Sequence, residues 1–259
     1  KTIKELYNPF ILNHNRIIEM DIKSAEMTKY ASNAMLANKI SFINEIANIC
    51  KGVGADINKV RIGIGSDKRI GYDFIYPGIG FGGSCFPKDL KALEKMARKI
   101  NYDANLLKSI SRINDYQKEQ FVLGVINRML NNKEDSLEDV KIAVWGLTFK
   151  PKTDDLRNAP SEYILKQLLD KGATIHAADP KASKEDLNKI FNNDRFRFNS
   201  NQYDILKDAD CLLLLTEWQE FRSPDFKKVK SLMNKFIIFD GRNIYNKSEL
   251  EAMGFELHQ

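Results

Sequence analysis

The chain has only three cysteines in 259 residues, and Cys50, Cys85 and Cys211 lie far apart with no metal-ligand spacing. That scarcity excludes a zinc site built on paired cysteines and a disulfide framework. The odd count, with apolar neighbours around Cys50 and Cys211, points to a reducing, cytoplasmic setting and to core positions for those two. Histidine is equally scarce: His14, His176 and His258 show no convincing catalytic partners and read as surface or core residues. Long hydrophobic runs are missing as well. The most apolar stretch, 211–215, is far too short to cross a bilayer, and no secretory signal is visible. Charge of one sign is not in large excess, since 40 Lys+Arg are interspersed with 35 Asp+Glu for a net +5. With no nucleic-acid motif beside them, these charges read as a mixed solvated surface, and a few cations serving a pyrophosphate are equally consistent. No internal repeat or low-complexity tract is visible.

What is present is an ordinary globular balance, 43% hydrophobic and 29% charged, in a chain long enough for one large or two modest domains. It starts at Lys1 without methionine, and 1–7 reads as the tail of a helix already under way, so a fragment lacking its N-terminal part is expected. Asn8-Pro9 breaks that piece, and 13–15 reads as an exposed connection. The pattern over 21–51 predicts a long helix with Gly52 as its C-cap and a stripe of Met27, Tyr30, Ala31, Ala34, Met35, Ile40, Ile43, Ala47 and Cys50. Apolar residues on several sides of so long a helix suggest burial, including in a subunit interface. A short helix is predicted over 55–60, then a loop punctuated by Gly63, Gly65 and Gly71, and later a helix over 105–130. Asn131-Asn132-Lys133-Glu134-Asp135 is polar and reads as the domain boundary.

Beyond it strands and helices alternate, with strands over 140–145, 173–178, 211–216 and 236–239 and a helix over 161–171. This is the pattern of a doubly wound α/β unit. Its first strand is followed by Gly146-Leu147-Thr148-Phe149-Lys150 and not by GxGxxG, so the unit is Rossmann-like in layout without the usual dinucleotide turn.

The segment Gly78-Ile79-Gly80-Phe81-Gly82-Gly83-Ser84-Cys85-Phe86-Pro87-Lys88-Asp89-Leu90 carries the most chemistry. Pro87 suits the first turn of a helix that continues over 88–99, so Cys85 stands at the positive end of a helix dipole, a setting for a nucleophilic thiol. The glycines let a bulky ligand approach the backbone. Two plainer readings stand beside this one: a Gly-rich loop that only turns the chain, and a cysteine that is only a small buried hydrophobe. Asp89 lies one helical turn after Cys85, and Lys29 and Asn33 have the same spacing on the long helix.

The string Phe81-Gly82-Gly83-Ser84-Cys85-Phe86-Pro87-Lys88-Asp89 resembles the active-site signature of the nucleotide-sugar 6-dehydrogenases. Lys29-Tyr30-Ala31-Ser32-Asn33-Ala34, Ser41-Phe42-Ile43-Asn44-Glu45, Asp67-Lys68-Arg69-Ile70-Gly71 and Gly146-Leu147-Thr148-Phe149-Lys150-Pro151 agree with that family in the expected order. The ordered match extends from near residue 1 to Asn243.

The resemblance implies an α/β chain: a helical central dimerisation domain, 1–134, followed by a Rossmann-like doubly wound UDP-binding domain, 135–259. It implies NAD as cofactor, UDP-glucose as substrate, a homodimer through the long central helix, and neither nucleic acid nor membrane as partner. The reaction would be a four-electron oxidation to UDP-glucuronate, with Cys85 trapping the aldehyde as a thiohemiacetal that becomes a thioester and is hydrolysed. Asp89 would orient or activate water, unless it only complements the helix N-terminus. Lys29 and Asn33 would stabilise an oxyanion at C6, the alternative being an exposed polar stripe. Arg69 is similar to a family arginine that reaches the sugar from the partner subunit. Phe74, Ile75, Tyr76, Pro77 and Gly78, with Gly82, match the loop that wraps the nucleotide sugar, although this loop departs from several relatives. Lys150 resembles a UDP-sugar contact, and Lys88 and Arg157 resemble NAD contacts. Arg242 is expected to support the nucleotide or the interface, while Asp154, Asp155 and Asp240 could be salt-bridge partners alone. Since the family's N-terminal GxGxxG domain is absent from these residues, the isolated polypeptide is expected not to turn over. GDP-mannose or a UDP-N-acetylhexosamine is the nearest alternative substrate, with Phe86-Pro87-Lys88-Asp89 leaning away from the acetamido sugars. A non-catalytic nucleotide-sugar-binding or dimerisation protein is the alternative of another class.

Overall fold

A computed structural model describes residues 2–10, 17–130 and 136–259. The connections at 13–15 and 131–135, His14 and the boundary between 134 and 135 lie outside the described residues. The first half is helical: α1 (Thr2–Tyr7), a 3-10 turn Asn8–Phe10, α2 (Ile22–Val53), α3 (Ile57–Gly65), α4 (Phe86–Lys99) and α5 (Asn105–Leu130). Asp21 caps α2 by accepting from the Ser24 N–H. Its C-cap is Gly54, not Gly52: Gly54 takes φ +74° and its N–H bonds the Cys50 carbonyl, a conformation without cost for glycine. Asp56 caps α3, which runs through Gly63 to Gly65, where the sequence pattern suggested a loop. Gly65 is there for closeness, since a Cβ would stand 2.5 Å from the Tyr72 ring. Ala34, Ala37, Phe81, Leu90 and Ile110 form a small core between α2, α4 and α5. Of the expected α2 stripe, Met27, Ala31 and Met35 stay exposed in the single chain, whereas Ser41 and Asn44 are buried.

The second half alternates β1 (Lys141–Trp145), α6 (Pro160–Asp170), β2 (Thr174–Ala178), α7 (Lys184–Ile190), β3 (Phe196–Phe198), β4 (Cys211–Leu214), α8 (Gln219–Arg222), α9 (Phe226–Leu232), β5 (Ile237–Asp240), α10 (Lys247–Ala252) and β6 (Glu256–His258). All pairings are parallel, in the order β3-β2-β1-β4-β5-β6, so the chain reverses direction across the sheet between β1 and β4. This is the doubly wound α/β order expected from the alternation. The two edge strands, β3 and β6, escaped the sequence reading because three residues carry too short a period. Side-chain alternation splits the core. Ile142, Val144, Ile175 and Leu213 face α6 and the second half of α5, while Ala143, Trp145, Leu212 and Leu214 face α8, α9 and α10. Val122, Val125 and Met129 of α5 belong to the first of these layers, so one helix serves both the small helical core and the sheet.

Arg128 of α5 reinforces that joint, donating to Glu256 of β6 from Nε (2.6 Å) and Nη2 (2.5 Å), with His258 Nε2 2.7 Å from the same carboxylate. These bonds outweigh burial and hold the Glu256 carboxyl down from 4.5 to about 2. A depressed folded value stabilises the fold above the ordinary carboxylate range and is lost as pH falls through the folded value. Glu256 is partly exposed, so the pair is worth about 1 kcal/mol. Urea unfolding of Arg128→Gln should therefore differ from the parent by about that amount at pH 7, with the difference closing between pH 4.5 and about 2.

Candidate active site

The glycine-rich run is a bent strap held by Asn44 of α2 and Asn114 of α5 on one side and by the loops after β5 and before α6 on the other. Gly78 N–H donates to Asn44 Oδ1 (2.8 Å), Ile79 N–H to Gly241 O (2.9 Å) and Phe81 N–H to Asn114 Oδ1 (2.7 Å). Asn114 Nδ2 donates back to Phe81 O, and Gly83 N–H donates to Arg157 O. The glycines are used for close packing inside the protein, not for open space beside a ligand. A Cβ would stand 2.7 Å from Gly241 O at Gly78, 2.6 Å from Asn114 Oδ1 at Gly80, 2.2 Å from Asn158 O at Gly82 and 2.8 Å from the Phe149 ring at Gly83. The strap thus joins the helical half to the sheet, and it ends at Cys85, the exposed N-cap residue of α4.

Lys29, Asn33 and Asp89 meet beside that thiol. Asp89 in the first turn of α4 has no exposed surface, and its Oδ2 accepts from Lys29 Nζ (2.7 Å) and Asn33 Nδ2 (2.6 Å), both on α2. Burial would raise the Asp89 carboxyl, but these two bonds and the charges of Lys29 and Lys88 hold it below its ordinary 3.8. The hydrogen bond from Lys29 to Asp89 in turn raises the ammonium, so the pair is ionised across the neutral range. Asp89 Oδ1 makes no hydrogen bond within the protein, and Lys88 Nζ lies 3.7 Å away. A carboxylate held that acidic is a weak proton acceptor, so it suits orienting a water better than deprotonating one. The Cys85 sulfur lies close enough to Lys29 and to Arg157 to interact electrostatically with both, and Ser84 Oγ is 3.8 Å away.

The remaining residues singled out from sequence divide into two groups. Phe74, at φ +62°, sets its ring 6.3 Å from Phe86, which packs edge-on against Phe81, and so stands at this site. Phe149, whose ring covers Gly83, carries Lys150 Nζ 5.3 Å from its centroid. Arg157 is held in a two-pronged pair by Asp155, which its guanidinium keeps ionised. Ile75 is a core residue at 1% exposure, so its side chain is closed to a ligand, and Pro77 is buried too. Tyr76 is exposed under the Arg61 guanidinium, and Arg69 is exposed and gripped by Asp67. Asp154 is exposed, whereas Asp240 is a structural acceptor for the N–H groups of Arg242, Ile244 and Tyr245. Arg242 donates to Leu215 O and Gly80 O, so it too pins the strap. His176 is half-buried on β2, and Cys50 and Cys211 are buried as expected. Sequence reasoning had Asn44 only within the matching stretch 41–45, with no role given, and missed Asn114 and Asn158. Asn114 was detectable only as a polar residue on a helix face that the fold buries.

At the β1–β4 reversal, the position where an open α/β sheet takes a ligand, the turn after β1 is already filled. Asp179, at the end of β2, accepts from Leu147 N–H (2.7 Å), Thr148 N–H (3.1 Å) and Thr148 Oγ1 (3.1 Å). These backbone donors would otherwise cradle a phosphate. The residues present therefore do not fit a dinucleotide pyrophosphate at this turn. Among the described residues, three buried polar atoms near the strap, Asn44 Nδ2, Arg242 Nη2 and Asn243 Oδ1, have no hydrogen-bond partner, while Glu217 Oε2 pairs with Arg242 Nε at 3.3 Å.

An exposed thiol at a helix N-terminus thus stands beside a buried carboxylate held by Lys29 and Asn33, in a helical unit strapped to a parallel doubly wound sheet. The chain belongs to the UDP-glucose/GDP-mannose dehydrogenase family: residues 23–116 match its central domain and 143–247 its UDP binding domain. It is 42% identical over 258 residues to a UDP-glucose 6-dehydrogenase of Pseudomonas aeruginosa, covering 98% of this chain and 56% of that protein. It is similar to the structure of a UDP-glucose dehydrogenase from Pyrobaculum islandicum (TM-score 0.81, 29% identity, 96% of this chain and 54% of that one). It is equally similar in fold to a UDP-D-ManNAc dehydrogenase from Pyrococcus horikoshii (TM-score 0.81, 26% identity, 99% and 56%). The chain spans about half the length of the relatives it matches. No helix among the described residues is long and apolar enough to cross a membrane.

Proposed function

We propose that this chain carries the thiol and the nucleotide-sugar pocket of an NAD-dependent UDP-glucose 6-dehydrogenase. The observation that carries the reading is the cluster of Lys29, Asn33 and buried Asp89 beside exposed Cys85. The Cys85 sulfur adds to the C6 aldehyde to give a thiohemiacetal. Loss of the C6 hydride makes it a thioester, and water then releases the carboxylate and the free thiol. NAD, when bound, supplies the hydride acceptor for both oxidations, and Lys88 and Arg157 are the cations offered to it. Lys29 keeps two further N–H donors beyond its bond to Asp89 and, with Asn33, stabilises negative charge at the C6 oxygen. Asp89 holds Lys29 in place, and its Oδ1, which makes no hydrogen bond among the described residues, is the acceptor offered to the attacking water once substrate and water enter. The unpartnered Asn44 Nδ2, Arg242 Nη2 and Asn243 Oδ1 are the groups offered to the nucleotide, with Lys150 at its edge. The exposed Tyr76 and Phe74 face the sugar, while Ile75, Pro77, Gly78 and Gly82 support that loop from within, and Arg69 serves the partner's pocket.

A homodimer is part of the proposal. Met35, Phe42, Ile49 and Val53 expose apolar surface along α2 that the small helical core does not cover. The two family matches fall on either side of the division proposed at 134/135, and the polypeptide alone is expected to form no NADH. UDP-glucose is favoured over the acetamido sugars by the 42% identity to a relative of that name, since fold likeness is equal for both.

Calorimetric titration of the chain with UDP-glucose, GDP-mannose and a UDP-N-acetylhexosamine tests this. Saturable binding of UDP-glucose alone is expected. Preference for another sugar nucleotide moves the substrate assignment, and the absence of any binding overturns the pocket.

A further inference from the structure

We infer that Asn114 is a positioning residue for the Cys85 thiol. The inference rests on reading Cys85 as the nucleophile. Asn114 is 6% exposed on α5, yet its carboxamide spends both ends on one residue of the strap: Oδ1 accepts from Phe81 N–H at 2.7 Å and Nδ2 donates to Phe81 O at 3.1 Å. That is the pair of bonds a neighbouring strand would make, supplied here by one side chain to a segment outside any sheet. Gly80, at φ +95°, leaves room for it, because a Cβ there would stand 2.6 Å from Asn114 Oδ1.

The clamp reaches the thiol through packing. Phe81 is buried, and its ring meets Phe86 edge-on at 5.6 Å. Phe86 is the first residue of α4 and follows Cys85 directly. From the sheet side the strap is held by Gly241, Arg242, Arg157 and Asn158. From the helical side Asn44 holds the Gly78 N–H, and Asn114 holds both backbone groups of Phe81, midway between the sheet-side contacts at Ile79 and Gly80 and those at Gly83. Without it, the buried N–H and C=O of Phe81 lose their partners, the strap shifts, and Cys85 leaves the positions of Lys29, Arg157 and the α4 N-terminus that favour its attack.

The test compares the full chain with Asn114→Ala, Asn114→Asp and a control, Leu187→Ala, which removes a buried side chain from the sheet core far along the sequence. Cys50 and Cys211 are buried, so iodoacetamide reads Cys85. Asn114→Ala is expected to slow alkylation at pH 7 by about threefold or more and to weaken UDP-glucose binding about tenfold. Asn114→Asp keeps the acceptor for the Phe81 N–H and should recover part of both. Leu187→Ala should lower the melting temperature while leaving alkylation unchanged. Alkylation of Asn114→Ala matching the parent overturns the inference. If that variant does not fold, Asn114→Ser, whose shorter side chain cannot reach both backbone groups of Phe81, takes its place, and parent-like alkylation there overturns the inference. Alkylation needs no ligand, so failure of UDP-glucose to bind the parent would count against the proposed function while the thiol comparison still decides the role of Asn114.

Discussion

On the function proposed above, Cys85→Ser in a dehydrogenase containing these residues is expected to cut formation of UDP-glucuronate by about 10³-fold or more while leaving UDP-glucose binding within about threefold. The two effects separate because the binding and charge groups near the thiol are held independently of it. Lys29 and Asn33 bond Asp89 at 2.7 and 2.6 Å, and none of the three depends on the sulfur for its position. A serine hydroxyl is a much weaker nucleophile at neutral pH, so the aldehyde is not captured and the second oxidation has no covalent substrate. Product quantified by chromatography, with calorimetry for binding, checks this. Turnover within about tenfold of the parent would remove Cys85 from the covalent role and leave it as a helix-cap residue.

Asp179→Ala is expected to cost about 3–5 kcal/mol of unfolding free energy, read from urea unfolding. Asp179 is 3% exposed and accepts six hydrogen bonds: from Leu147 N–H, Thr148 N–H, Thr148 Oγ1 and Trp218 Nε1 on one oxygen, and from Lys181 and Ala182 N–H on the other. Truncation leaves those donors, most of them buried, with no acceptor. It also opens the turn after β1, which the carboxylate fills as a bound phosphate would. A loss under about 1 kcal/mol would mean that water replaces the carboxylate there. This second effect lies in the fold, but it bears on function, since it explains why a sheet of dinucleotide-binding order does not offer its usual cradle.

Much of this architecture was legible in the residues. The helix over 105–130 and the four central strands followed from hydrophobic period, and the thiol at the start of a helix followed from Pro87 and the apolar spacing after it. Boundaries that depend on one hydrogen bond were not. Gly52 and Gly54 are both plausible caps by composition, and the choice falls to whichever glycine turns left-handed with its N–H on the Cys50 carbonyl. The glycines of the strap show the same limit more sharply. Their freedom was visible, but whether they admit a ligand or another piece of backbone depends on Asn158, Gly241 and Phe149, which arrive from the other half of the chain.

The sequence by itself determined the chemistry available: one thiol beside helix-forming residues, a lysine and an asparagine one turn apart, a carboxylate one turn after the thiol, and a β/α alternation without a phosphate-binding GxGxxG turn after its first strand. Tertiary structure alone decided how these meet. Lys29 and Asn33 reach Asp89 across 60 and 56 residues, and Asn114 reaches Phe81 across 33. Periodicity reports which face of a helix is buried but not what is buried against it, so polar residues such as Asn44 and Asn114 acquire their partners only when the helices pack. The same holds for Asp179, whose carboxylate closes the β1 turn because the parallel sheet brings the ends of β1 and β2 side by side.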